Sequence, residues 1–183
     1  MLTDLDKPPL SGSRPWQGPV AVVLEVLAAI GVLVSLGYTF SMLSALPAEI
    51  PSHFNLLGEP DAWTQNTGVV LILPAVAVLI YALCTLAVRY PHRMKYPWAI
   101  TAENATSSYR MTHQIVLIEK VVIVWMLAYL SWTTIQSALS GGDVINESIL
   151  FGFIFLAVFA PGVILVSHFS AISKRNATPH EVS

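Results

Sequence analysis

Residues 148–173 read SILFGFIFLAVFAPGVILVSHFSAIS and contain no Asp, Glu, Lys or Arg. A helix needs about 20 apolar residues to cross the roughly 30 Å hydrocarbon core of a bilayer, so this stretch is long enough to span a membrane. Three other charge-free stretches have a similar length, at residues 26–48, 62–88 and 121–142. The sequence therefore predicts four transmembrane helices, near Pro19–Phe40, Gly68–Val88, Ile115–Ser137 and Ile149–Ala171.

The composition of the whole chain agrees with this prediction. Of its 183 residues, 55% are hydrophobic and 11% are charged, whereas soluble domains carry about 25% charged residues. The alternation of apolar and polar residues that a membrane β-barrel requires is missing, and no strand is predicted. We therefore predict an all-α integral membrane protein, a small four-helix bundle with an ordered extracytoplasmic loop between helices 1 and 2. The net charge of −2 predicts no nucleic-acid partner.

The Lys and Arg residues predict the orientation, because translocation tends to keep them on the cytoplasmic side. None occurs in residues 42–67 or 138–148, so both termini and the connection between helices 2 and 3 are predicted to be cytoplasmic. The expected localisation is the bacterial cytoplasmic (inner) membrane, with the lipid bilayer as the first partner. The predicted organisation is a mobile cytoplasmic arm at 1–18, a transmembrane domain at 19–173 and a cytoplasmic tail at 174–183.

The connection between helices 2 and 3 contains signals that end one helix and begin the next. Tyr90-Pro91 and Tyr96-Pro97 disfavour helix, and Thr101-Ala102-Glu103-Asn104 is typical of a helix start. The third helix is therefore predicted to begin near Thr101, on the cytoplasmic side of the membrane.

The connection between helices 1 and 2 contains the most distinctive segment, residues 46–63, which read LPAEIPSHFNLLGEPDAW. Its three prolines restrict the backbone, and Asn55 and Gly58 tolerate positive φ. Phe54 and Trp63 suit a membrane interface, where an aromatic ring can have one wet edge and one apolar face. These features predict an ordered outward loop.

The residues of this loop resemble a family of bacterial membrane domains of unknown function, best known as the amino-terminal part of SdpI-type immunity proteins. The family pattern is Leu-Pro, then Ile-Pro-x-His-Phe/Trp-Asn-x-x-Gly-x-x-Asp-x-Trp. It is matched by Leu46, Pro47, Ile50, Pro51, His53, Phe54, Asn55, Gly58, Asp61 and Trp63. A second similar piece comprises Tyr96-Pro97, Ile100-Thr101-x-Glu103-Asn104-Ala105 and Tyr109-Arg110. The resemblance implies a role in immunity to a secreted peptide toxin.

Two departures from the family pattern bear on that implication. Family members often carry a Lys shortly after the loop tryptophan, whereas this chain has Thr64-Gln65-Asn66. SdpI-type proteins also continue into a further membrane domain, and four helices are predicted here. The resemblance therefore implies immunity for the family as a whole, since the further domain is an alternative location of that function.

The outward loop provides the first set of candidate site residues. We predict that a ligand or partner contacts His53, Asn55, Asp61 and Trp63. A His with nearby carboxylates can also bind a divalent ion, but spacing alone does not bring the ligands together. The favoured reading of His53 and Asp61 is that they hydrogen-bond the loop and hold its turns. No metal or cofactor is predicted.

A second set is an intramembrane polar cluster, predicted to comprise Glu25, Glu119, Lys120 and His168. A lone ionised group at the depth of Glu25 costs a few kcal/mol, so Glu25 is expected to have a partner, and Lys120 fits best. An interhelical ion pair is the favoured reading, and a proton or ion path is the alternative. A path is disfavoured because the outer halves of the helices offer only hydroxyls and aromatics, among them Tyr38, Thr39, Tyr81, Trp132 and Thr133.

Small residues form two stripes that predict close helix packing. The stripes are Gly31, Ser35 and Gly37 in the first helix, and Ala157, Ala160 and Gly162 in the fourth. No nucleophile motif, phosphate-binding loop or His-Glu-x-x-His is present, so the protein is predicted not to be an enzyme.

Three functions remain open for the chain. The first is an immunity- or binding-type membrane protein that presents residues 46–63 to an extracytoplasmic peptide or protein. The second is an accessory subunit or assembly factor of a larger membrane complex, with another membrane protein as its partner. The third is a transporter of a small solute or ion.

Overall fold

The computed structural model describes residues 18–55, 58–90, 93–96, 98–142 and 145–177, with the backbone alone for 171–177. Four α-helices dominate this part of the chain: α1 Pro19–Met42, α2 Ile72–Arg89, α3 Ala105–Ser140 and α4 Glu147–Ala177. Each contains a stretch long and apolar enough to cross a membrane. The four predicted helices are thus present, and they suggest a multi-pass membrane protein.

The ends of the chain extend beyond the described residues. Of the predicted arm at 1–18, only Gly18 is described, immediately before α1. Helix α4 continues to Ala177, so the predicted tail at 174–183 begins as helix, and residues 178–183 lie outside the described ranges.

Helix α3 is the centre of the bundle. It packs against α1, α2 and α4, and α1 also contacts α2. Its 36 residues make a helix about 54 Å long, whereas about 20 residues suffice to cross the hydrocarbon core. Helix α4 packs on α3, and no residue of its apolar window is buried. Helix α3 is therefore much longer than a membrane crossing requires.

The start of α3 differs from the sequence prediction by one turn. The helix begins at Ala105 rather than near Thr101. The Asn104 side chain accepts a hydrogen bond from the Thr101 amide at 2.9 Å and donates one to the Ala99 carbonyl at 3.0 Å. These side-chain bonds hold residues 101–104 in a turn, because they compete with helical backbone bonds.

The connection between α1 and α2 contains strands, so the all-α prediction is wrong at this place. Strands β1 Ile50–Phe54 and β2 Pro60–Thr64 form an antiparallel hairpin, flanked by short 3-10 helices at Leu43–Ala45 and Thr67–Leu71. Each strand is five residues long and contains a proline, which removes a backbone donor from the ladder. The strand pattern is too short and too interrupted for periodicity to reveal it.

The contact between α1 and α3 includes part of the small-residue stripe predicted in the first helix. Ala28, Gly31, Ser35 and Thr39 form the buried face of α1. A Cβ atom on Gly31 would lie 2.8 Å from Cγ1 of Val124, so glycine permits this close approach. In contrast, a Cβ atom on Gly37 or Gly162 would meet nothing within 4 Å, so neither glycine is needed for packing within the described residues.

Candidate functional site

The hairpin between α1 and α2 is buried at its base and exposed along the rest of its strands. Ile50 is completely buried and packs with Val70, Ile135 and Ala138. Pro51 beside it is also buried, whereas Ser52 and His53 are exposed. The carboxyl-terminal ends of α1 and α3 and the 3-10 helix before α2 therefore hold the hairpin in place by apolar packing.

The turn of the hairpin is closed by hydrogen bonds between Asn55 and Glu59. The backbone amide of Asn55 donates to the backbone carbonyl of Glu59 at 2.9 Å, and the side-chain Nδ2 of Asn55 donates to Oε2 of Glu59 at 2.9 Å. The Glu59 amide in turn donates to Oδ1 of Asn55 at 3.0 Å. Gly58 has a φ of 80°, and a Cβ atom there would lie 3.0 Å from the Ile145 side chain. The positive φ favours glycine at 58, and the close approach of Ile145 adds to this preference.

Two of the predicted site residues meet across the hairpin. Nδ1 of His53 lies 2.6 Å from Oδ1 of Asp61, and the two side chains are 69% and 44% exposed. Trp63 is on the same strand as Asp61 and is 44% exposed. Asn55 belongs to the turn instead. The hairpin therefore presents a bonded His–Asp pair and an indole ring to its surroundings.

No set of three His, Cys, Asp or Glu side chains that could hold a metal ion occurs within the described ranges. His53 has one carboxylate contact, and Glu59 is bonded to Asn55.

The second candidate site is an ion pair between α1 and α3. Nζ of Lys120 lies 2.5 Å from Oε2 of Glu25, as expected from the matched depths of the two residues. The Lys120 side chain is 0% exposed and that of Glu25 is 36% exposed. A buried ammonium needs such a partner because its desolvation is costly. The pair therefore links α1 to α3 at the predicted cytoplasmic end.

Two residues of α2 complete this cluster, and the sequence analysis missed both. The Tyr81 hydroxyl donates to Oε1 of Glu25 at 2.7 Å, and Nζ of Lys120 donates to Oγ1 of Thr85 at 3.0 Å. The ammonium also lies 4.5 Å from the centroid of the Tyr81 ring. Tyr81 was expected in the outer half of the membrane. It precedes Arg89 by two turns of α2. This spacing indicates that Tyr81 lies closer to the Arg89 end of the bundle than was expected.

Glu119 and His168 do not join the cluster. Glu119 immediately precedes Lys120 in α3, so its side chain points about 100° away from that of Lys120. The His168 ring lies on the α4 side of α3, 5.6 Å from the ring of Trp98. Oε1 of Glu119 and Nε2 of His168 have no hydrogen-bond partner among the described residues. The predicted cluster of four is thus an ion pair with two unlinked neighbours.

A cleft of about 770 Å³ adjoins the ion pair. Its lining includes Glu25 and Thr85 from the cluster, together with Arg89, Tyr90 and His113. Glu25 is the member of the pair that faces this cleft, which is consistent with its greater exposure.

Polar groups recur toward the outer end of the contact between α1 and α3. Ser35 and Ser131 are both buried, with their hydroxyl oxygens 3.2 Å apart, and the Gln136 amide donates to the Tyr38 hydroxyl at 2.7 Å. Between this level and Lys120, Gly31 packs closely against Val124 and Trp125. Close-packed apolar groups thus separate the two polar levels.

The comparisons with known proteins concern the hairpin region. Residues 30–78 match the family model described as a domain of unknown function, DUF1648. No curated protein and no solved structure matches the chain. The matched range runs from α1 through the hairpin into α2, so it includes the motif at 46–63 and excludes the second similar piece at 96–110.

Proposed function

We propose that this is a non-enzymatic, binding-type membrane protein whose hairpin meets a peptide or protein outside the cytoplasm. The observation that carries the proposal is the contrast within the hairpin. Ile50 and Pro51 are buried and fix its base, and its strands expose Trp63 and the His53–Asp61 pair. A fixed scaffold that presents an aromatic ring and adjacent polar groups is typical of recognition surfaces, because little conformational entropy is lost on binding.

The charge of this region adds to the proposal. Residues 50–64 contain Glu59 and Asp61 but no Lys or Arg. A peptide with basic and aromatic residues would complement this surface. The resemblance to SdpI-type proteins makes immunity to a secreted peptide the specific form of the proposal, and the matched family itself has no assigned function.

The test is protection of cells that express the protein against a panel of secreted antimicrobial peptides. We expect wild-type protein to raise the inhibitory concentration of at least one peptide, and Asp61→Ala and Trp63→Ala to abolish the increase at equal protein level. Glu49→Ala is the matched control, because Glu49 is an exposed acid of the same connection outside the strands. Equal protection by wild type and both hairpin variants would refute the proposal.

A second candidate function is that of an accessory subunit of a larger membrane complex, and helix α4 favours it. Its apolar window has no buried residue, and Gly152 and Gly162 leave open space on its surface. Small residues let a second helix approach closely in a membrane. Purification in mild detergent would then yield a complex that Gly162→Leu disrupts, whereas recovery of the monomer alone would count against this role.

A further inference from the structure

A second cleft lies on the other side of α3, between its first turns and the last part of α4. Its volume is about 440 Å³, within the size range of small-ligand sites. Its polar lining includes Glu103, Arg110, Gln114 and Ser167, and its apolar lining includes Met111 and Ile164. No residue of this cleft belongs to the hairpin or to the Glu25–Lys120 pair.

The height of this cleft corresponds to the head-group layer. The amide of Asn146, immediately before α4, donates a hydrogen bond to the Tyr129 hydroxyl at 2.7 Å, so Tyr129 of α3 lies level with the start of α4. If this level marks one face of the hydrocarbon core, about 20 residues along α3 reach the other face near Arg110. Arg110 then lies where the hydrocarbon core meets the layer of lipid head groups, and Glu103 lies on the head-group side of it. Ile164 and Ser167 on α4 are about 17 to 20 residues from its start at Glu147, so they reach the same height.

The cleft contains one cationic and one anionic side chain that form no ion pair within the described residues. Arg110 and Glu103 are both exposed, and neither forms an ion pair with another residue of the described ranges. A guanidinium suits a phosphate group, because two of its N–H donors can bond two phosphate oxygens. A carboxylate suits a primary ammonium, which has three N–H donors. A ligand that satisfies both groups carries a phosphate and an ammonium.

We propose that this cleft binds the head group of phosphatidylethanolamine, with the phosphate on Arg110 and the ammonium on Glu103. Gln114 and Ser167 supply further donors, and Met111 and Ile164 contact the first methylene groups of the lipid. Phosphatidylglycerol has no ammonium for Glu103. Phosphatidylcholine has a methylated ammonium that cannot donate a hydrogen bond to it.

The experiment is a lipid titration of the detergent-solubilised full chain, followed by native mass spectrometry. We expect phosphatidylethanolamine to bind about fivefold more tightly than phosphatidylglycerol or phosphatidylcholine, the preference that a partly exposed ion pair can supply. Glu103→Gln should remove this preference while binding of phosphatidylglycerol is kept. Arg110→Gln should weaken the binding of all three lipids.

Arg89→Gln is the matched control, because Arg89 is an exposed arginine at the same end of the bundle that lines the other cleft. It should leave the preference unchanged. Equal binding of the three lipids to wild type would overturn the proposal, and so would a preference that survives Glu103→Gln. Circular dichroism of each variant verifies the fold, which is expected to be intact since both side chains are exposed.

Discussion

The described residues contain two short contacts between a basic and an acidic side chain, and they differ in almost everything except length. Lys120 and Glu25 are 2.5 Å apart, and His53 and Asp61 are 2.6 Å apart. The first pair joins two helices, has a fully buried ammonium and receives further bonds from α2. The second pair joins two strands of one exposed hairpin.

The difference teaches which pair holds the fold and which one is available to a partner. A buried charge that loses its partner remains desolvated, whereas an exposed charge that loses its partner is solvated by water. We therefore expect substitutions at the inner pair to change stability and substitutions at the outer pair to change binding. The following predictions test this division.

The largest effect is expected for Glu25→Gln, which leaves the Lys120 ammonium without a carboxylate. We expect the free energy of unfolding to fall by about 3 kcal/mol, as for other broken buried pairs. Unfolding by SDS in mixed micelles measures it. The double variant Glu25→Gln with Lys120→Met should recover much of the loss, because it removes the buried charge itself.

Glu49→Gln serves as the matched control for this prediction, since Glu49 is exposed. It should change the free energy of unfolding by less than about 0.5 kcal/mol. If Glu25→Gln had as small an effect, the inner pair would not be a structural contact, and the comparison between the two pairs would fail.

The contact between Glu25 and Lys120, the inner pair, could be predicted from the sequence for a simple physical reason. The position of a residue along a transmembrane helix determines its depth in the bilayer. Glu25 and Lys120 have the same predicted depth, so the two side chains were expected to meet. Direction around the helix decides the neighbours, and a single sequence contains little information about it. Glu119 was included wrongly because the side chains of adjacent helical residues diverge. His168 was included wrongly because its ring packs against Trp98 instead of the pair.

In the hairpin, the sequence predicted the local backbone but not the contacts between the strands. The prolines, Asn55 and Gly58 predicted an ordered loop, and Gly58 has the positive φ that was anticipated. The strands were missed because pairing such as Pro51 with Trp63 depends on contacts between residues distant in sequence. The contact of His53 with Asp61 follows from that pairing, so spacing alone could not reveal it.

The second prediction concerns the packing between the two polar levels of α1 and α3. Gly31→Ala places a Cβ atom 2.8 Å from Val124 and 3.2 Å from Nε1 of Trp125, which donates to the Leu27 carbonyl. We expect a loss of about 1–3 kcal/mol in the free energy of unfolding, because the core cannot accept the added volume. Gly37→Ala is the control and should be neutral or stabilising, since its surroundings are open. Equal effects of the two variants would contradict the packing described.

The third prediction concerns the buried hydroxyl pair of Ser35 and Ser131. Ser131 donates its proton to the Leu127 carbonyl at 2.8 Å, so Ser35 is the donor in the contact between them. Ser35→Ala should lower the free energy of unfolding by about 0.6 kcal/mol, the average for hydrogen bonds between membrane helices. A double-mutant cycle with Ser131→Ala measures the coupling, and a coupling of zero would show that the two hydroxyls do not interact.

The smallest effect on stability is expected for Asp61→Asn in the exposed pair. Water solvates His53 when the carboxylate is lost, so the free energy of unfolding should change by less than about 0.5 kcal/mol. Protection against the peptide should nevertheless be lost, since the proposed contact surface has changed. The same SDS titration measures the first quantity, and the inhibitory concentration measures the second. If Asp61→Asn destabilised the protein as strongly as Glu25→Gln, the outer pair would be a structural element too, and loss of protection would no longer indicate binding.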